Sequence, residues 1–76
     1  MTENVYEQKE NFCRHELLQL IQAIEKDVLR LEYIIHESGE ETVSIVYLTK
    51  TEQYSRTINV TGDSLKALAR DVLKYI

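Results

Sequence analysis

The chain has 76 residues, a net charge of −4 and one cysteine, Cys13, which excludes an internal disulfide and fits a reducing, cytoplasmic setting. A chain this short buries only about 60% of the surface it exposes when unfolded, so one domain over residues 1–76 is expected, with partner subunits as the remaining source of stability. An apolar share of 43% with five tyrosines excludes a disordered chain, and no apolar run approaches the roughly 20 residues of a membrane-spanning helix.

The acidic start, MTENVYEQKE, has neither the basic region nor the apolar stretch of a secretory signal. Beyond it, Leu17, Ile21, Ile24, Val28, Leu31 and Ile35 recur at spacings of four and three, and the first 38 residues contain neither proline nor glycine. That spacing predicts one long helix over residues 5–38 carrying a coiled-coil seam. Asn4 with Glu7 three residues later has the form of a capping box at its start. Ser38-Gly39 ends it, because glycine accepts the left-handed conformation found past a helix C-terminus. At 1.5 Å per residue such a helix is roughly 50 Å long, whereas a compact chain of this size has a radius of gyration of about 11 Å. It would overhang its own domain. Leu18, Leu20, Leu29 and Ile34 widen the apolar face, so it contacts more than one element.

The period then changes to two. In Thr42–Thr49, Val43, Ile45 and Tyr47 point one way while Val46 and Leu48 point the other, which predicts a strand over 42–49 with both faces partly covered. Residues 54–61 alternate cleanly, with Tyr54, Ile58 and Val60 opposite Ser55, Thr57, Asn59 and Thr61, and form a hairpin with the first strand across a short polar loop. Thr61-Gly-Asp-Ser reads as a turn into a helix over 64–75, capped by Asp63 or Thr61, with Leu65, Leu68, Ala69, Val72 and Ile76 at helical spacing. The order α-β-β-α is an α+β domain. A lone two-stranded sheet is marginal and leaves unpaired edges, so helix and hairpin both predict a symmetric homodimer.

Cys13 and His15 are two positions apart and do not face each other on a helix. Cys13 lies one turn before Leu17 and reads as a packing residue. His36 reads as a last-turn histidine favourable to the helix dipole, with Glu32, Glu37, Glu40 and Glu41 as solvated surface. No nucleophile and base pair, Gly-rich loop or spaced histidine pair is present, so no enzyme, cofactor or metal is expected.

Charge is uneven: residues 1–41 hold ten acids against four bases, and residues 42–76 three acids against five bases. Lys66, Arg70 and Lys74, spaced by four, form a basic stripe that Arg56 extends from the hairpin, and such a stripe can make sequence-independent phosphate contacts. Asp63 and Asp71 dilute it, and the overall pI of about 5.1 argues against a nucleic-acid surface. Tyr6, Tyr33, Tyr47, Tyr54 and Tyr75 suit either a core boundary or an interface. The expected function is that of a small accessory or regulatory protein that self-associates and binds another macromolecule, first a protein. Nucleic-acid binding through the hairpin and C-terminal helix is the alternative.

Overall fold

Asn4 opens the first helix of the computed structural model, which describes residues 4–76, so the first three residues of the acidic start lie outside the described ones. The Asn4 side-chain carbonyl accepts from the Glu7 backbone N–H at 2.8 Å, and its amide donates to the Glu7 carboxylate at 3.3 Å. The helix then winds through α1 (Val5–Phe12), a π-wound segment (Cys13–Leu17) and α2 (Leu18–Ile24). Lys9, Cys13, Leu17 and Ile21, every fourth residue, are buried along it. In an α-helix a step of four residues overshoots a full turn by about 40°, so this row would spiral off a flat partner. The wider π turn in its middle rotates the row back and keeps it on the sheet.

The helix ends at Ile24, not at residue 38. Glu25 is extended, a turn follows, and Val28–Ile35 is a strand, β1. Val28, Tyr33, Ile34 and Ile35 are β-branched or aromatic and pack well on a pleated surface. The pairing passes from Val28 opposite Tyr47 to Arg30 opposite Val46, so Leu29 is an extra, bulged residue. The bulge turns Val28 and Leu31, three apart, to the same side. That spacing on one face imitates a helical turn, and it is what extended the helix in the sequence. The order is therefore helix, three strands, helix, and the α-β-β-α order is corrected by one strand.

β2 (Glu41–Leu48) pairs antiparallel with β1 on one side and with β3 (Gln53–Asn59) on the other, giving the sheet order β1-β2-β3. Gly39, at φ 93°, carries the β1–β2 turn where a side chain would be strained. The Thr49 hydroxyl holds the β2–β3 turn, accepting from the Glu52 N–H at 3.1 Å and donating to the Glu52 carbonyl at 3.0 Å. α3 (Leu65–Leu73) is capped by Ser64, whose hydroxyl accepts from the Ala67 N–H at 3.2 Å, in place of the expected Asp63 or Thr61.

Cys13, Leu17 and Ile21 of the first helix, Leu68 and Val72 of α3, and Val28, Leu31, Tyr33, Val43, Ile45, Ile58 and Val60 meet in one core cluster. Both helices thus lie on one face of the sheet, and the other face is open. The longest dimension is 41 Å, shorter than the roughly 50 Å of the single helix. Among the described residues no helix is long and apolar enough to cross a membrane.

Candidate interaction surface

The six seam residues do not share an element. Leu17 and Ile21 lie on the helix, Ile24 is its last residue, and Val28, Leu31 and Ile35 belong to β1. Leu17, Ile21, Val28 and Leu31 meet in the core, while Ile24, 64% exposed, and Ile35 do not join it. The stripe is the chain's own contact of helix on sheet. It offers no groove along which two long helices could supercoil.

Side chains alternate across a strand, so Arg30, Glu32 and Ile34 of β1, Thr42, Ser44, Val46 and Leu48 of β2, and Gln53, Ser55, Thr57 and Asn59 of β3 turn away from the helices. β2 and β3 bring no charged side chain to this face, and β1 brings one ion pair, Arg30 Nε to Glu32 Oε2 at 2.7 Å. Hydroxyl groups bond across it, Ser44 to Thr57 at 3.0 Å and Thr42 to a His36 ring nitrogen at 3.0 Å. Ile34, Leu48 and the bulged Leu29 are exposed there, and Val46 is buried between its cross-strand neighbours Arg30 and Ser55.

The two edges of the sheet differ. At β1 the bulge breaks the ladder, and the Gln22 amide donates to the carbonyls of Val28 at 3.0 Å and Leu29 at 3.4 Å. A groove of about 370 Å³ beside this edge is lined by Glu10, Arg14, Arg30 and Glu32, so an incoming strand would desolvate charges. These are devices that blunt an edge. β3 has no bulge, and Arg56 is its one charged residue: its pairing with β2 runs without a break from Gln53 to Asn59. Bonds from Val60 N–H to the Glu41 carbonyl and from Thr49 N–H to the Glu52 carbonyl bracket that ladder. Antiparallel ladders alternate, so Tyr54, Arg56 and Ile58 bond to β2 while Gln53, Ser55, Thr57 and Asn59 turn their N–H and C=O groups outward.

The basic stripe is also on the surface, but it is not a run of cations alone. Lys66, Arg70 and Lys74 are exposed on α3, and Arg70 and Lys74 each approach the Asp71 carboxylate at 3.8 Å. Arg56 lies on the helix side of the sheet, its guanidinium 5.5 Å from the centroid of the Tyr75 ring. Beside it Tyr54 stacks on Tyr47 with ring centroids 4.8 Å apart.

Sequence reasoning missed the most organised polar group of the fold. Glu41, expected among solvated glutamates, is 6% exposed, and so is its partner Lys9 at 5%. Its Oε1 accepts from Lys9 Nζ at 2.6 Å and from the Tyr33 hydroxyl at 2.5 Å, and its Oε2 accepts from the Gly62 N–H at 3.0 Å. Burial alone would raise the Glu41 pKa, but the Gly62 N–H, the Lys9 ammonium and the Tyr33 hydroxyl bring it down to about 2. Burial, and then the bond to Glu41, push the Tyr33 hydroxyl up. Burial pushes the Cys13 thiol up to about 12, so it is inert as a nucleophile at neutral pH. Every oxygen of the Glu41 carboxylate is engaged, so the cluster ties α1, β1, β2 and the turn before α3 together. No local signal in the sequence distinguishes Glu41 from Glu40; only the parity of β2 places it inward.

No protein-family model, curated protein or solved structure matches the chain.

Proposed function

We propose that this chain is a non-enzymatic interaction module, an accessory or regulatory protein that self-associates and binds another protein through the uncovered face of its sheet. The observation that supports this most is the makeup of that face, in which two of three strands present only neutral hydroxyl, amide and aliphatic side chains. Taking charges out of water is expensive, whereas neutral groups that are already bonded to one another, as Ser44 is to Thr57, can be covered at little cost. Leu29, Ile34 and Leu48 then add favourable burial at about 25 cal/mol per Å² of apolar surface. A phosphate-binding surface asks for the reverse, cations held clear of acids, and Asp71 stands between Arg70 and Lys74.

Two measurements test the proposal. Sedimentation equilibrium at micromolar concentration is expected to give a multiple of the 8.9 kDa chain mass, and a single-chain mass would remove the self-association. Titration into labelled DNA and RNA at low salt is expected to give no binding tighter than about 10 μM, a range typical of nonspecific binders. Tighter binding that is lost when Lys66, Arg70 and Lys74 are changed together to Glu, with unchanged circular dichroism, would transfer the function to nucleic acid.

A further inference from the structure

We infer that the outer edge of β3 is the contact through which two copies of this chain associate, the two β3 strands pairing antiparallel about Ser55 to make one six-stranded sheet. This rests on the self-association proposed above and names the surface responsible. Four consecutive outward-facing residues, Gln53, Ser55, Thr57 and Asn59, leave their backbone groups to an incoming strand, and none carries a charge. A two-fold axis perpendicular to the sheet keeps all four helices on one side and doubles the open face on the other.

Charge chooses the register. Centring the pair on Arg56 would set two guanidinium groups directly opposite each other, which is destabilising. Centring it on Thr57 would place Arg56 against the partner's Ile58 with no counter-charge. Centring it on Ser55 leaves the two Arg56 side chains only diagonal to each other, places Arg56 opposite the partner's Tyr54, an exposed ring, and puts the partner's Glu52 on the other diagonal of the same face, within reach of a long side chain. Symmetry makes each of these contacts twice. The β1 edge is the poorer candidate, because Gln22 covers the carbonyls of Val28 and Leu29, the bulge interrupts the ladder there, and charged Arg30 and Glu32 stand beside the rest.

The test uses proline at a position whose N–H β2 does not need. In Thr57→Pro the β2–β3 ladder keeps all of its backbone bonds and loses only the exposed Ser44–Thr57 hydroxyl contact, while the intermolecular bond from residue 57 is removed in both copies. The expected result is a fall from twice the chain mass to the single-chain mass, with circular dichroism unchanged. A Thr57→Pro protein that keeps the doubled mass would overturn the edge assignment and leave self-association standing. A single-chain mass for the unmodified protein would overturn both. If Thr57→Pro loses its circular dichroism, Ser55→Cys decides. Directly opposed residues in a bonded antiparallel pair have Cα atoms about 5.5 Å apart, within disulfide range, so oxidation should link two chains. Cys13 is fully buried and does not compete. Gln53→Cys sets its two thiols four residues out of register, about 13 Å apart, and should not link. Linking through Gln53→Cys as efficiently as through Ser55→Cys, or no linking through Ser55→Cys, would overturn the proposal.

Discussion

The two faces of the sheet share one backbone and make opposite use of polar side chains. On the covered face a carboxylate is buried at Glu41, and it is held by an ammonium, a hydroxyl and a backbone N–H within 3.0 Å. On the open face polar groups are neutral or paired side by side, and aliphatic residues stand among them in water. The difference teaches where specificity is placed. A buried charge on one segment that is satisfied from three others fixes how the four meet, because any other arrangement strands it. A face of weakly hydrated neutral groups constrains nothing inside the chain and is easily covered from outside.

The sharpest way to break the covered face is to remove Glu41. Glu41→Ala leaves the Lys9 ammonium and the Tyr33 hydroxyl buried without the carboxylate and removes the acceptor of the Gly62 N–H, and breaking a buried pair from one side costs about 3–5 kcal/mol. A domain of this size has little more than that in total, so the variant is expected to be largely unfolded by circular dichroism at 25 °C. Lys9→Met removes the other partner but leaves Glu41 two donors, so urea unfolding should show a clearly smaller loss. Equal losses from the two substitutions would mean that Glu41 acts only as the counter-ion of Lys9.

Acid should loosen the same face. The Glu41 pKa is lowered from 4.5 to about 2 in the folded chain. The stability it contributes is therefore present above pH 4.5 and is lost as pH falls toward 2, amounting to about 3 kcal/mol at 1.36 kcal/mol per unit. Glu41→Gln should flatten the unfolding free energy over that window. An unchanged acid limb in that variant would assign the loss to other carboxylates.

These outcomes bear on how much of the molecule was legible in its sequence. The hairpin of β2 and β3 was readable because Tyr54–Thr61 alternates, broken on its apolar face only by Arg56, and a polar turn precedes it. The amphipathic C-terminal helix was readable because Leu65, Leu68 and Val72 keep helical spacing after the turn at Gly62, although its cap is Ser64 and not the expected Asp63 or Thr61. β1 was not. Its bulge at Leu29 restores a spacing of three between inward residues, and the Glu25–Asp27 turn before it has no glycine or proline to mark the break. The β-branched and aromatic residues of 28–35, and the improbable length of an unbroken helix, were the signals available. The Glu41 cluster depends on β2 parity and on contacts from residues 32 positions before and 21 after it, which spacing cannot express.

A stabilising change sharpens the contrast further. Asp63, at the turn into α3, has one carboxylate oxygen buried without a hydrogen-bond partner, and burial followed by the neighbouring Asp71 carboxyl raises its pKa. A raised carboxyl opposes folding once it is ionised, above its folded pKa, and the penalty disappears as pH falls below its unfolded value. Asp63→Asn should therefore add about 1 kcal/mol near pH 7, the lower end for an unsatisfied buried group. The acid limb attributed to Glu41 should also become steeper, since the two titrations oppose each other. A loss of stability at neutral pH would show that the Asp63 charge is favourable to the fold, for instance through Lys9.

The smallest expected effect falls on a residue the sequence placed at the centre of an apolar seam. Ile24 stands three positions after Ile21, which is fully buried, but it is 64% exposed at the last turn of the helix. Ile24→Asp puts a carboxylate in water, so no charge is desolvated. What remains is the unfavourable placement of a negative charge at a helix C-terminus, a few tenths of a kcal/mol. Thermal unfolding should shift by no more than about 2 °C, taking a domain of this size to move about 4–8 °C per kcal/mol. The mass in solution should be unchanged, because Ile24 lies on the helix layer and not on β3. A collapse of the fold would mean that Ile24 is covered in solution, and a loss of the oligomer with the fold intact would move the contact between copies from the β3 edge to the end of the first helix.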